Sequence, residues 1–197
     1  GFRSAIFCKL ALAFFIFGTG AIALTVIVVP LLISKGFGAG EAAGMAALVG
    51  IGSLAGRVLG GILLDWFDAK KVAAASVLAP VLSCALLIAL PGSALQAMAA
   101  CLLLGLAVGT EVDCCAYLAS RHLGMKSFGT LFGAINGLLL FGVGLAPVIA
   151  NYVYDITRSY DPVLWALIPT CLFSALLFLL LGRYPDFGES AGQPASH

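Results

Sequence analysis

Charged side chains are scarce in this sequence, and their scarcity sets its class. Only 10% of the 197 residues are Asp, Glu, Lys or Arg, whereas 62% are hydrophobic and the mean hydropathy is +1.13. Soluble domains carry about 25% charged and about 45–50% apolar residues. The composition therefore predicts an integral membrane protein. The sequence has no basic run, so we expect no nucleic acid partner.

The motifs of common enzyme and metal sites are also missing. The sequence has no G-x-x-x-x-G-K-[ST] phosphate loop, no H-E-x-x-H helix and no G-x-S-x-G turn. It has no C-x-x-C either, and its six cysteines lie in or beside apolar runs. We interpret them as small buried hydrophobic residues. We therefore predict no enzyme activity, no cofactor and no metal.

Long apolar runs make up most of the chain. A bilayer-spanning helix needs about 20 apolar residues. Six runs meet this length, and they predict an all-α membrane protein with six transmembrane helices in the lipid bilayer. The predicted spans are Ile6–Leu32, Ala42–Leu64, Val72–Leu90, Ala94–Ser120, Phe128–Tyr152 and Pro162–Leu181.

The basic residues predict the orientation of these spans, because cytoplasmic loops collect Lys and Arg. With a cytoplasmic N-terminus, one side carries only Lys35 and Arg158. The cytoplasmic side then carries seven basic residues: Arg3, Lys9, Lys70, Lys71, Arg121, Lys126 and Arg183. We therefore expect a multi-pass protein of the cell membrane with both termini in the cytoplasm. Residues 1–185 form the membrane domain, and residues 186–197 are expected to be a disordered cytoplasmic tail.

Arg57 is the most informative residue, because it lies inside the second apolar span. A guanidinium stays charged in proteins and is costly in hydrocarbon, so it must face a cavity or a partner. It also binds a carboxylate with two parallel hydrogen bonds. We therefore predict that Arg57 binds a small organic anion, with Ser53 one turn earlier as a second donor. The alternative is a structural ion pair, or a side chain that reaches toward the cytoplasmic surface.

Two acids lie late in the fourth span, at about the depth of Arg57. Glu111 and Asp113 are two residues apart, about 200° around a helix, so they face different sides. One of them could neutralise Arg57 or carry a proton. The alternative is that they stabilise helix packing near the cytoplasm by pairing with Arg121. Sequence alone does not choose between the two acids.

Two stripes of glycine recur at a spacing of four residues. Gly52, Gly56 and Gly60 lie in the second span, and the fifth span has the second set, Gly129, Gly133 and Gly137. Such stripes allow close helix packing. They predict either fixed packing or helices that slide during function.

Asn136 is the strongly polar residue of the fifth span, which has no Lys or Arg between Phe128 and Tyr152. Asn136 is expected either to hydrogen-bond another helix or to line a pathway.

The loop after the second span resembles a signature of the major facilitator superfamily. That signature reads G-x-x-x-D-[RK]-x-G-[RK]-[RK], and this chain matches it at Gly61, Asp65, Lys70 and Lys71. It departs at Trp66 and Asp68, where a basic residue and a glycine are usual, and its basic pair comes one residue late. The resemblance implies a gating loop and a fold that is half of a major facilitator transporter.

A second resemblance extends over roughly residues 2–185. The runs Gly109-Thr110-Glu111-Val112-Asp113 and Ala116-Tyr117-Leu118-x-Ser120-Arg121-x-x-Gly124 look like the C-terminal half of the oxalate/formate antiporter and monocarboxylate transporter group. So does Tyr154-Asp155-x-Thr157-x-Ser159-Tyr160. The six spans would then correspond to that group's helices seven to twelve.

This resemblance implies secondary transport by alternating access, as proton symport or anion exchange. Arg57 matches an arginine that binds the substrate carboxylate in monocarboxylate members. Ser53 stands where those members often carry an aspartate, which shifts the expected proton coupling to Glu111 or Asp113. The fifth span lacks the lysine of oxalate exchangers, which favours a monocarboxylate. A single half cannot form a two-sided pathway, so we expect a missing N-terminal six-helix half as partner.

The alternative function is a complete six-helix scaffold or binding protein without transport. In that case Arg57 would pair permanently with an acid. A membrane-embedded enzyme is a weaker third reading, since no nucleophile and base occur together at helical spacing.

Overall fold

The computed structural model describes residues 2–89, 93–123 and 128–180. Within these ranges the chain is helical and has no strand, which confirms the predicted all-α class. The helices are α1 (Phe2–Ser34), α2 (Ala39–Trp66), α3 (Ala69–Ser76), α4 (Leu78–Ile88), α5 (Ala94–Leu123), α6 (Phe128–Thr157) and α7 (Asp161–Leu179). Six stretches are long and apolar enough to cross a membrane, and α3 and α4 together supply one of them. The predicted cytoplasmic tail lies outside the described residues.

The third predicted span, Val72–Leu90, corresponds to two helices, α3 and α4, which together form one apolar stretch long enough to cross a membrane. This stretch begins earlier, at Ala69, and it is interrupted at Val77 between α3 and α4. Pro80 explains the interruption, because it has no N–H to donate to the carbonyl of Ser76 and its ring crowds that carbonyl. Beside the interruption, the Ser76 hydroxyl donates to Ala73 O at 2.8 Å.

Helices α1 and α5 lie at the centre of the bundle. Helix α1 packs against α2, α5, α6 and α7, and α5 packs against α1, α2, α3, α4 and α6. The fully buried side chains of α1 form the middle of the apolar core, and Phe14 and Phe17 meet Phe178 of α7 edge to face. By contrast, α2 and α6 present long exposed apolar faces. The centre of the fold is therefore formed by α1 and α5, and α2 and α6 carry large exposed apolar surfaces.

Two buried serines join helices through backbone carbonyls, and neither contact was predicted from the sequence. Ser83 of α4 donates to Ala100 O of α5 at 2.8 Å, and Ser174 of α7 donates to Ala13 O of α1 at 2.8 Å. Such bonds satisfy hydroxyls that would otherwise be unpaired in an apolar interior. They fix the α4–α5 and α1–α7 contacts.

The α1–α2 and α6–α7 turns meet at one end of the bundle. The Nζ atom of Lys35 lies 2.6 Å from a carboxylate oxygen of Asp161 at the start of α7. In the second turn, Tyr160 stacks on Tyr154 with ring centroids 4.4 Å apart and donates to Asn151 at 3.1 Å. Both turns fall on the side that the predicted topology assigns to the exterior.

Candidate functional site

Helices α2 and α5 pack through their backbones along the glycines of the second span. They run parallel, because Gly52, Gly56 and Gly60 face successively later residues of α5. A Cβ atom added at Gly56 would collide with Leu106 O and lie 3.0 Å from two further backbone atoms of Leu106. The Thr110 hydroxyl donates to Gly56 O at 3.1 Å. The two helices are therefore at the closest approach that their backbones allow.

Glycines of α5 complete this interface from the other side. A Cβ at Gly105 would collide with Val49 O, and one at Gly109 would collide with Ser53 O. Neither glycine was predicted from the sequence to contact α2. Their spacing of four residues, equal to that of the α2 stripe, was the available signal.

Arg57 lies beside this interface and not within it. Its residue is exposed, whereas Ser53 one turn earlier is half-buried. A Cβ added at Gly61, one turn later, would meet nothing within 4 Å. Ser53, Arg57 and Gly61 thus line an open side of α2 next to α5. In the described ranges, no carboxylate lies within ion-pair distance of the Arg57 guanidinium.

Asp113 and Glu111 face opposite sides of α5, as their spacing predicts. A Cβ at Gly109 would lie 3.0 Å from the backbone N of Arg57, and Asp113 follows Gly109 by one turn on the same side. Asp113 is half-buried. Asp113, and not Glu111, therefore lies on the side of α5 that faces Arg57 of α2.

Glu111 points into the centre of the bundle. Its residue is only 4% exposed, and a Cβ at Gly18 of α1 would collide with its Oε1 atom. The same added Cβ would collide with Leu139 of α6, so the carboxyl lies where α1, α5 and α6 meet. Oε1 has no hydrogen-bond partner among the described residues, and neither does the buried hydroxyl of Thr19.

The polar and glycine residues of α6 are not part of this arrangement. Asn136 donates to Phe132 O of its own helix at 2.9 Å, and the structure describes no bond from it to another helix. A Cβ added at Gly129, Gly133 or Gly137 would meet nothing within 4 Å. This stripe is consequently not packed against any described helix of the chain.

The loop between α2 and α3 explains one departure from the signature. Asp68, where a glycine is usual, is the N-cap of α3 and accepts from the backbone N–H of Lys70 at 3.3 Å. Asp65 and Lys71 are exposed. Trp66 and Phe67 are exposed as well, at 81% and 61%. This end of the bundle thus presents charges and two aromatic rings on its surface.

A cleft of about 610 Å³ opens at the opposite end of α2 and α5. Phe37, Met45 and Met98 give it an apolar lining, and Lys35 and Glu41 lie at its edge. Glu41 accepts from the backbone N–H of Gly38 at 3.2 Å and Lys35 pairs with Asp161, so both charges already have partners. This cleft was not predicted from the sequence. In the described part of the chain, no three His, Cys, Asp or Glu side chains are grouped to hold a metal ion.

Comparison with known proteins identifies a family for this chain. The sequence profile of the Major Facilitator Superfamily matches residues 6–196, nearly the whole chain. No individually curated protein matches it. The family match agrees with the six apolar spans, the all-helical fold and the loop signature after the second span. The chain belongs to the Major Facilitator Superfamily.

Proposed function

We propose that this chain is the C-terminal half of a secondary transporter for a small organic anion, most simply a monocarboxylate. Membership of the superfamily supports membrane transport in general. The observation that carries the finer proposal is Arg57, a permanent charge within an apolar span that has no ion-pair partner among the described residues. Such a charge needs a ligand, since an intramembrane cation without a counter-ion is costly.

The surroundings of Arg57 suit a carboxylate. A guanidinium offers two parallel N–H donors that match the two carboxylate oxygens. The Ser53 hydroxyl, one turn away on the same side of α2, can donate a further bond. Gly61 leaves the adjoining turn open. No second cation lies on α6 between Phe128 and Tyr152, so a dianion held by two cations is disfavoured.

Alternating access then follows from charge neutralisation. When the substrate is bound, its carboxylate cancels the charge of Arg57 and lowers the cost of closing a dry cavity around it. When the site is empty, Asp113 is the candidate to neutralise Arg57 in place of the substrate, because it lies on the side of α5 that faces Arg57. The exposed apolar faces of α2 and α6 are available for the second six-helix half.

Uptake of radiolabelled lactate and oxalate into proteoliposomes tests the proposal. We expect lactate uptake by the wild-type transporter, and none by Arg57→Gln. Arg57→Lys keeps the charge but loses the two-pronged geometry, so its KM should rise about tenfold or more, as expected for one lost charge-assisted hydrogen bond. Lys9→Gln is the matched control, because Lys9 is an exposed cation of another helix.

The rival function, a scaffold without transport, predicts a different result. Arg57 would then be needed for folding, and Arg57→Gln would lower thermal stability in detergent. Normal stability of Arg57→Gln with abolished uptake supports transport. If Arg57→Gln loses stability and the wild-type protein takes up neither anion, the scaffold is supported and the proposal is rejected.

A further inference from the structure

Glu111 is a buried acid that the proposed binding site does not use. It lies on the side of α5 opposite to Asp113, enclosed by Gly18 of α1 and Leu139 of α6. Its residue is 4% exposed and its Oε1 atom has no hydrogen-bond donor among the described residues. Native proteins rarely keep such a group without a reason, because buried polar atoms are nearly always bonded.

The groups that face Glu111 do not compensate a negative charge. From α1 it meets Gly18, and from α6 it meets Leu139. The titratable groups in electrostatic range are thiols, Cys114 and Cys115 on α5 and Cys171 on α7. Among the Lys, Arg and His side chains that the structure describes, none forms an ion pair with it. An ionised carboxylate in this position would therefore be strongly unfavourable, and the neutral acid is the form compatible with the packing.

We propose that Glu111, and not Asp113, carries the proton that couples transport, an inference that rests on the proposed function. A proton taken from water on one side binds a carboxylate oxygen of Glu111. The neutral acid then permits α1 and α6 to close on it, as in this structure. When these helices separate and water reaches the carboxyl from the other side, the proton leaves and the ionised form holds the contact open.

Asp113 does not fit this role in the same way. It is half-buried on the side of α5 that packs against α2, and the contact among α1, α5 and α6 does not enclose it. The two acids thus have different roles because they lie on different sides of α5. Asp113 faces the substrate side of α5, and Glu111 faces the contact among α1, α5 and α6.

The enclosure of Glu111 also gives the coupling a geometric basis. Gly18 has no room for a Cβ atom, because the carboxyl of Glu111 and the side chain of Leu139 fill the space beside it. Any change in the charge or hydration of Glu111 must therefore move α1 or α6. Proton binding at this point is consequently linked to helix packing, as coupled transport requires.

Two measurements on the same reconstituted transporter test this inference. The first is lactate accumulation driven by a gradient of one pH unit, compared with lactate exchange at equal pH and with protein-free vesicles. One pH unit corresponds to about 1.4 kcal/mol and sustains a roughly tenfold accumulation when one proton moves with one carboxylate. Glu111→Gln should keep exchange but lose this accumulation. Glu41→Gln is the matched control and should still accumulate lactate, because Glu41 is an exposed glutamate at the opposite end of the bundle.

The second measurement detects the proton directly in the wild-type transporter, and two variants then assign it to a residue. The infrared band of a neutral carboxylic acid should be present at neutral pH and should shift when glutamate is labelled with carbon-13. The sequence has only three glutamates, and Glu41 is exposed and accepts a backbone hydrogen bond. The band should persist in Asp113→Asn and vanish in Glu111→Gln.

Each outcome decides a different claim. Exchange of lactate by the wild type without accumulation overturns the proton coupling and leaves the proposed function intact. Accumulation by Glu111→Gln, or accumulation without the labelled band, overturns the assignment to Glu111. Absence of both exchange and accumulation in the wild type rejects the proposed function and this inference together. Should Glu111→Gln fail to fold, absence of the labelled band in the wild type still refutes the assignment.

Discussion

The substitution Gly56→Ala is the most direct test of how α2 and α5 pack. An added Cβ atom would collide with Leu106 O and approach two more backbone atoms of Leu106 to 3.0 Å. Backbone atoms cannot move aside by changing rotamer, so the two helices would have to separate. Separation would also strain the hydrogen bond from Thr110 to Gly56 O.

The magnitude follows from three contributions. Overpacking costs about 1–3 kcal/mol, and a lost interhelical hydrogen bond in a membrane costs about 0.6 kcal/mol. The better helix propensity of alanine returns up to about 1 kcal/mol. We therefore expect Gly56→Ala to lower the free energy of unfolding by about 2 kcal/mol.

The assay is unfolding of the detergent-solubilised protein by sodium dodecyl sulfate, followed by circular dichroism. Gly50→Ala is the matched control, because Gly50 lies on the same helix and an added Cβ would meet nothing within 4 Å. It should be neutral or stabilising by up to about 1 kcal/mol. Equal stability of the two variants would show that α2 and α5 are not packed backbone to backbone, and would refute the interface.

Two further predictions concern single contacts. Lys35→Gln and Asp161→Asn should show a favourable coupling of up to about 1 kcal/mol in a double-mutant cycle, because the pair is close but partly exposed. The coupling free energy should decrease at high salt. A coupling free energy of zero would show that this ion pair does not stabilise the contact between the two turns. Asp68→Ala should lower the free energy of unfolding by about 1 kcal/mol through loss of the α3 N-cap. Asp65→Ala carries the same change of charge without a described cap, and equal effects of the two would contradict the capping role.

The membrane class and the six spans could be predicted from sequence, because hydrophobic length alone decides whether a segment can cross a bilayer. The interruption at Val77 could not be read from hydropathy, since Pro80 changes hydrogen bonding without changing the apolar character of the run. Helical spacing also placed Glu111 and Asp113 on opposite faces of α5. It could not say which face is buried, because that depends on where α1 and α6 pack.

The two glycine stripes show the same limit. Gly52, Gly56 and Gly60 meet backbone or side-chain atoms of α5, whereas Gly133 and Gly137 are exposed and meet no described atom. The spacing of the two stripes is identical, so sequence identifies a surface that permits close approach but not the neighbour that approaches. The role of Arg57 likewise stays a prediction, because that role depends on a bound ligand.

The glycine contact between α2 and α5 has a mechanical consequence. Because most of this contact is made by backbone atoms, with Thr110 as a side chain within it, few groups can adjust by changing rotamer. We therefore expect the two helices to move together as one rigid unit. Arg57 of α2 and Asp113 of α5 belong to this helix pair, so the distance between them is kept whenever the pair tilts. Bending must therefore occur elsewhere, and the contact of α1 with α6, filled by Leu139 and Phe15, offers the adjustable side chains for it.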